Sequence, residues 1–147
     1  MSDEVVFFKE FSVAGKDFTN AGSVSTEIKA ILKEIGFDRL LVRRAAIASY
    51  EAEMNVVMYA RHAVVRLSVT PTSVRIEFQD EGQGIANVDL ALQEGWSTAT
   101  PEMREMGFGA GMGLPNIRRN ADEFDIKSEV GEGTHLTFII HTDGGSG

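Results

Sequence analysis

The chain has 147 residues, 43% of them apolar and 24% charged, a composition that carries a folded core and excludes a disordered chain. There is no cysteine, which excludes a disulfide framework and a thiolate metal site. The net charge of −8 argues against a nucleic-acid partner, whose affinity comes mainly from Lys and Arg on phosphates. The length suits one domain, expected over residues 1–142 with a disordered tail at 143–147. Residues 1–10 carry Asp3, Glu4, Lys9 and Glu10 and do not read as a signal peptide, and no stretch approaches the roughly 20 apolar residues of a membrane span. A cytoplasmic protein with no membrane partner is the expectation.

Residues 5–13 alternate, with Val5, Phe7, Phe11 and Val13 on one face, and read as a strand. Residues 22–35 place Ile28, Ile31, Leu32 and Ile35 at helical spacing, with Gly36 as the stop. Asp38 can cap a second helix running from about 39 to about 61, its apolar stripe being Leu40, Ile47, Tyr50, Met54, Val57 and Met58. Residues 64–70 and 74–80 are strands around the turn Pro71-Thr72-Ser73. A short helix follows at about 88–93, and 95–111 is a long polar loop rich in Gly and Met, a length usual for functional segments. Pro115 opens a helix to about 123, and strands at 124–130 and 133–141 flank Gly131-Glu132. The order is β-α-α-β-β-α-loop-α-β-β. It predicts an α+β fold, a two-layer sandwich of a mixed, mainly antiparallel sheet with helices on one face.

Four segments carry candidate chemistry. Asp80 shares parity with Val74, Ile76 and Phe78, so it points to the apolar face at a strand end, where a carboxylate needs a donor. Gly82 and Gly84 follow and leave room for a close approach. A planar ligand bearing an amine satisfies such a carboxylate, and an Asx-type turn capped by glycines accounts for the segment equally well. Thr134 shares its face with Leu136, Phe138 and Ile140 and offers a hydroxyl toward Asp80, or one satisfied locally. Glu51 and Asn55 lie at i and i+4 on one helix face, where Asn supplies a hard oxygen to a metal ion and Glu accepts a proton. A solvated face is the plainer reading, and Glu53 is expected in solvent beside it. The run Gly107-Phe108-Gly109-Ala110-Gly111-Met112-Gly113-Leu114 ends at a helix start, which suits an anion, though it is neither a Walker A loop nor a dinucleotide fingerprint.

The order of these segments is more specific than any one of them. Glu51-x-x-x-Asn55, Asp80-x-Gly82-x-Gly84, Gly109-x-Gly111-x-Gly113-Leu114 and Gly133-Thr134 resemble the N, G1 and G2 boxes and terminal Gly-Thr of the gyrase–Hsp90–histidine-kinase (Bergerat-fold) ATPase superfamily. The resemblance implies ATP and Mg²⁺ as cofactors. It implies that Asp80 accepts the adenine amino group, that Gly82 and Gly84 belong to the adenine box with Gly84 letting the base approach, and that Thr134 joins the adenine–water network. Asn55 would ligate Mg²⁺ and Glu51 would be the general base. Gly109, Gly111, Gly113 and Leu114 would belong to the phosphate segment, with residues 95–110 as a lid. Within the superfamily, Asn55-Val56-Val57-Met58-Tyr59-Ala60, Gly95-Trp96-Ser97-Thr98 and Asp122-Glu123-Phe124 are similar to stand-alone bacterial anti-sigma and stressosome switch-protein kinases. That branch implies serine/threonine phosphorylation of a STAS-domain partner, a sigma factor or other switch target as a further partner, and a homodimer through the first strand and helix. A nucleotide-gated binding module without phosphotransfer is the competing expectation.

Overall fold

The computed structural model describes residues 4–85, 88, 92 and 113–142. Local chemistry sets the first boundaries. Helix α1 (Ser23–Ile35) stops at Gly36, which adopts φ 105° and donates its N–H to the carbonyls of Leu32 and Lys33. Helix α2 (Arg39–Tyr59) starts where the Asp38 carboxylate accepts the Leu41 N–H at 2.9 Å, leaving one fewer unpaired donor in the first turn.

The strands are β1 (Phe7–Ala14), β2 (Ala60–Thr70), β3 (Ser73–Gly82), β4 (Glu123–Glu129) and β5 (Gly133–His141). They form one sheet in the order β1-β2-β3-β5-β4. Every pairing is antiparallel, so the expected mixed sheet is wholly antiparallel among the described residues. Register brings one apolar face together: Val65 opposes Phe78 and Leu67 opposes Ile76, and on the other side of β3 Ile76 opposes Phe138 and Phe78 opposes Leu136. All of these side chains are buried under the helices. Burying each such side chain contributes roughly 1.5–3 kcal/mol. The opposite face carries Arg66, Arg75, Glu77 and Asp125, giving two layers with helices on one side.

Helix α2 passes into β2 with no loop. It ends at Tyr59 rather than near 61, because residues 60 and 61 already belong to the sheet: Ala60 pairs with Gly82 while its N–H still bonds to the Val56 carbonyl. The last helical carbonyls are met from the end of β1. The Lys16 N–H donates to the Val57 carbonyl at 2.7 Å, its ammonium donates to the Met58 carbonyl, and the Gly15 N–H reaches Arg61.

The buried face of α2 matches the expected stripe only in its C-terminal half. Met54, Val57 and Met58 are buried, but Leu40 is 56% and Tyr50 45% exposed, and Ala45, Ala48, Ala52 and Val56 are buried in addition. Small side chains let α2 lie close to the sheet and to α1, so its packing face carries little hydropathy signal. Glu53 is a second correction. It is 1% exposed and accepts the N–H groups of Gly22 (3.0 Å), Val24 (3.2 Å) and Ser25 (2.9 Å). Helix α1 has no side-chain cap of its own. Glu53 supplies that cap from α2 and sits at the positive end of the α1 dipole.

Helix α3 (Gly113–Arg119) is already helical at Gly113, two residues before the expected opening at Pro115, and ends before 123, since Glu123 opens β4. Buried Leu114 and Ile117 hold it to the core. The expected helix at 88–93 falls outside the described residues apart from positions 88 and 92, where the Leu92 N–H donates to the Val88 carbonyl. The Gly- and Met-rich loop, the lid and the tail also lie outside them.

Candidate functional site

One end of the sheet gathers the chemistry. Asp80 lies near the end of β3, opposite Ala63 of β2 and half-buried. Its Oδ1 accepts the backbone N–H of Thr134 at 2.9 Å, and among the described residues Oδ2 has no partner. Burial pushes the Asp80 carboxyl above its ordinary range. The Thr134 N–H and the nearby His62 pull it back only in part. A free acceptor is thus held in a partly dry setting, which suits a ligand that donates.

Gly133 makes this contact possible. Its φ is 142°, and a Cβ there would lie 2.2 Å from the Asp80 carbonyl oxygen. Only a bare Cα lets β5 start so close to β3 and aim the Thr134 N–H at the carboxylate. Gly84, at φ 72°, is similar, since its missing Cβ would lie 2.2 Å from the Glu129 carbonyl oxygen. The close approach that the glycine pattern implies is thus made, on this side, by the protein's own β4–β5 hairpin. Gly82 lies beside Ala60 at the α2–β2 junction.

The Thr134 hydroxyl does not reach Asp80. It lies 2.7 Å from the Ser128 hydroxyl, which also accepts the Ile85 N–H at 2.7 Å and sits 3.1 Å from the Gly133 carbonyl oxygen. Ser128 is a residue the sequence reading did not single out. The signal was present: Ser128 has the parity of Phe124 and Ile126, a polar side chain on the core face of a strand end, as Asp80 is.

Helix α2 supplies the second group. A Cβ on Gly113 would lie 3.3 Å from Asn55 Oδ1 and 3.6 Å from Glu51 Oε2. The first residue of α3 therefore rests against both side chains, and buried Leu114 follows it into the core. Burial pushes the Glu51 carboxyl up, offset in part by the Asn116 side chain. Asn116, also missed from sequence, faces α2 one turn into α3. Asn55 precedes Ala60 by five residues, about 7.5 Å along a helix axis. Ala60 pairs with Gly82, so Glu51, Asn55 and Gly113 lie at the same end of the molecule as Asp80 and Thr134. Gly109 and Gly111 fall outside the described residues.

The donor set suits a magnesium ion that shares its ligands with a bound phosphate group. Asn55 offers a hard amide oxygen beside the Glu51 carboxylate. Among the described residues no cluster of three or more His, Asp or Glu forms a self-sufficient metal cage.

Known proteins resemble the chain over most of its length. The model of the histidine kinase-like ATPase domain matches residues 16–140. The chain is 29% identical over 113 residues to the serine/threonine-protein kinase RsbT of Bacillus subtilis, covering 74% of this chain and 79% of that protein. It is 32% identical over 116 residues to the anti-sigma F factor of Anoxybacillus flavithermus, covering 79% of this chain and 68% of that one. Among solved structures, the RsbU and RsbW domains of Rv1364c from Mycobacterium tuberculosis align with a TM-score of 0.60 at 18% identity. That alignment covers 91% of this chain and 32% of the other, and the likeness is one of fold. With most of its length matched, the chain belongs to the histidine kinase-like ATPase domain family.

Proposed function

We propose that this protein is an ATP-dependent serine/threonine kinase of a bacterial partner-switching pathway, working in the cytoplasm on a STAS-domain partner. The observation that carries the reading is the pairing of a burial-raised Glu51 with Asn55 and Gly113, at the end of the sheet where Asp80 Oδ2 has no partner among the described residues. Similarity to proteins described as a serine/threonine kinase and as anti-sigma factors supports it.

In this reading Asp80 Oδ2 accepts the amino group of adenine. Asn55 would hold Mg²⁺ through its side-chain oxygen, and the charge of the ion would offset that of the phosphates. Glu51 takes the proton of the partner's Ser or Thr hydroxyl as its oxygen bonds to the γ-phosphorus and ADP leaves. A carboxyl pushed upward is a stronger base than an ordinary one, and it is brought nearer to a working pH around neutrality.

Two substitutions separate the roles. Glu51→Ala lowers phosphotransfer by roughly 10²–10⁴-fold and leaves ATP affinity nearly intact. Asp80→Asn weakens ATP binding by roughly 10–100-fold. Wild-type transfer rates from Glu51→Ala would remove Glu51 as the base, and no heat of binding from magnesium and ATP would remove the site.

A second reading keeps the nucleotide site and drops the transfer. It makes the protein an ATP-gated module that sequesters a sigma factor or other target, and it is favoured by the anti-sigma F factors among the relatives. Label from γ-phosphate appearing on a STAS-domain serine supports the kinase. ATP-dependent capture of the target without label supports the module.

A further inference from the structure

The hydrogen bonds behind Thr134 have a direction. Among the described residues Ser128 Oγ has three hydrogen-bond neighbours: the Ile85 N–H at 2.7 Å, the Gly133 carbonyl oxygen at 3.1 Å and Thr134 Oγ1 at 2.7 Å. A hydroxyl has one proton and two acceptor positions. The Ile85 N–H can only donate, so it occupies one acceptor position of Ser128. The Gly133 carbonyl can only accept, so it takes the Ser128 proton. One acceptor position is left, and it faces Thr134. The Thr134 hydroxyl satisfies it by donating its own proton, and the lone pairs of Thr134 stay available to anything bound beside it. On the neighbouring position, Asp80 Oδ1 is occupied by the Thr134 N–H and Oδ2 accepts. Ser128, Thr134 and Asp80 all lie on the helix side of the sheet, at its one end.

We propose that Ser128 is a positioning residue that sets base specificity: it fixes the Thr134 hydroxyl as an acceptor, so that with Asp80 the pocket wall reads amino donors and selects adenine against a base carrying a carbonyl at position 6. The inference rests on the purine site of the preceding section. A 6-oxo base placed there sets oxygen against two acceptors, whereas a 6-amino base gives each a proton.

The test is calorimetry with magnesium and either ATP or ITP, which differ in the 6-position of the base and the proton at N1 that follows from it. The wild-type protein prefers ATP. Ser128→Ala frees the Thr134 proton to turn toward a carbonyl, and the ratio of ATP to ITP affinity falls about tenfold, the loss of one hydrogen-bond preference. Ser128→Thr has the same single proton and restores the ratio. A merely structural role would weaken both nucleotides alike and leave the ratio unchanged, which would overturn the assignment. Should Ser128→Ala fail to fold, Thr134→Val carries the test. It removes the second acceptor without changing shape, and an unchanged ratio there would equally overturn the assignment. A wild-type protein that binds neither nucleotide overturns the purine site itself. Binding of ATP with a ratio indifferent to both substitutions removes only the role of Ser128.

Discussion

Carboxyl groups at the two ends of the sheet are treated in opposite ways. At the end where α2 enters β2, Asp80 and Glu51 are half-buried, each with too few donors to offset the burial, and both are pushed above the ordinary carboxylate range. At the other end, Asp122 is well supplied. Its Oδ2 accepts the His141 N–H at 2.7 Å and its Oδ1 the Arg44 guanidinium at 3.0 Å. Slight burial pushes Asp122 up, but those partners outweigh it and hold the group below its usual range. Glu53, deeper still, has three N–H donors. The fold thus completes the carboxylates that hold elements together and leaves incomplete those that face the site. Such incomplete, burial-raised carboxyl groups are the pattern expected of the proposed site.

Substitutions sharpen the contrast. Glu53→Ala leaves three donors at the start of α1 unpaired, two of them buried, and is expected to cost about 3 kcal/mol or more, read by urea denaturation. Glu53→Gln keeps one acceptor and costs less. Asp122→Ala removes the bond to the His141 N–H and a partly exposed ion pair, for a loss of about 1–2 kcal/mol. Asp80→Asn and Glu51→Gln behave oppositely: each loses its ligand-directed function while stability holds or rises by up to about 1 kcal/mol. A marked drop in stability from either would break the comparison.

The pH dependence is a smaller effect and carries opposite signs. Raised folded-state values at Asp80 and Glu51 mean that their contribution is full below the ordinary carboxylate range, near pH 4, and is lost as pH rises through the raised values. Asp122 is lowered, so its contribution is present above that range and is lost as pH falls through its own value. The Asp80→Asn, Glu51→Gln double variant should therefore flatten the fall in melting temperature as pH rises above the ordinary carboxylate range. Asp122→Asn should flatten the fall on the acid side.

Much of the frame was legible because local rules decided it. Alternation marked the strands, Gly36 and Asp38 marked the helix boundaries, and parity alone aimed Asp80 and Thr134 at the apolar face. What escaped depends on partners distant in sequence. Glu53 lies about 200° around the helix from Glu51, and only the N-terminus of α1, about thirty residues earlier, makes it an internal cap. On α2 the stripe holds at Met54, Val57 and Met58 and fails earlier in the helix, where Ala45, Ala48 and Ala52 are buried while Leu40 and Tyr50 project outward. Ser128 was within reach of the parity rule that found Asp80, but a serine in a short edge strand gives no charge or glycine signal to attract attention.

The junction at Tyr59 and Ala60 has a mechanical consequence. Helix α2 continues into β2 as one rod, its far end tied by Asp38 and its near end by Lys16 and Gly15. Such a rod has no hinge at the point where it carries Glu51 and Asn55. The α2 side of the site is thus a stiff wall, carried straight into the central strands of the sheet.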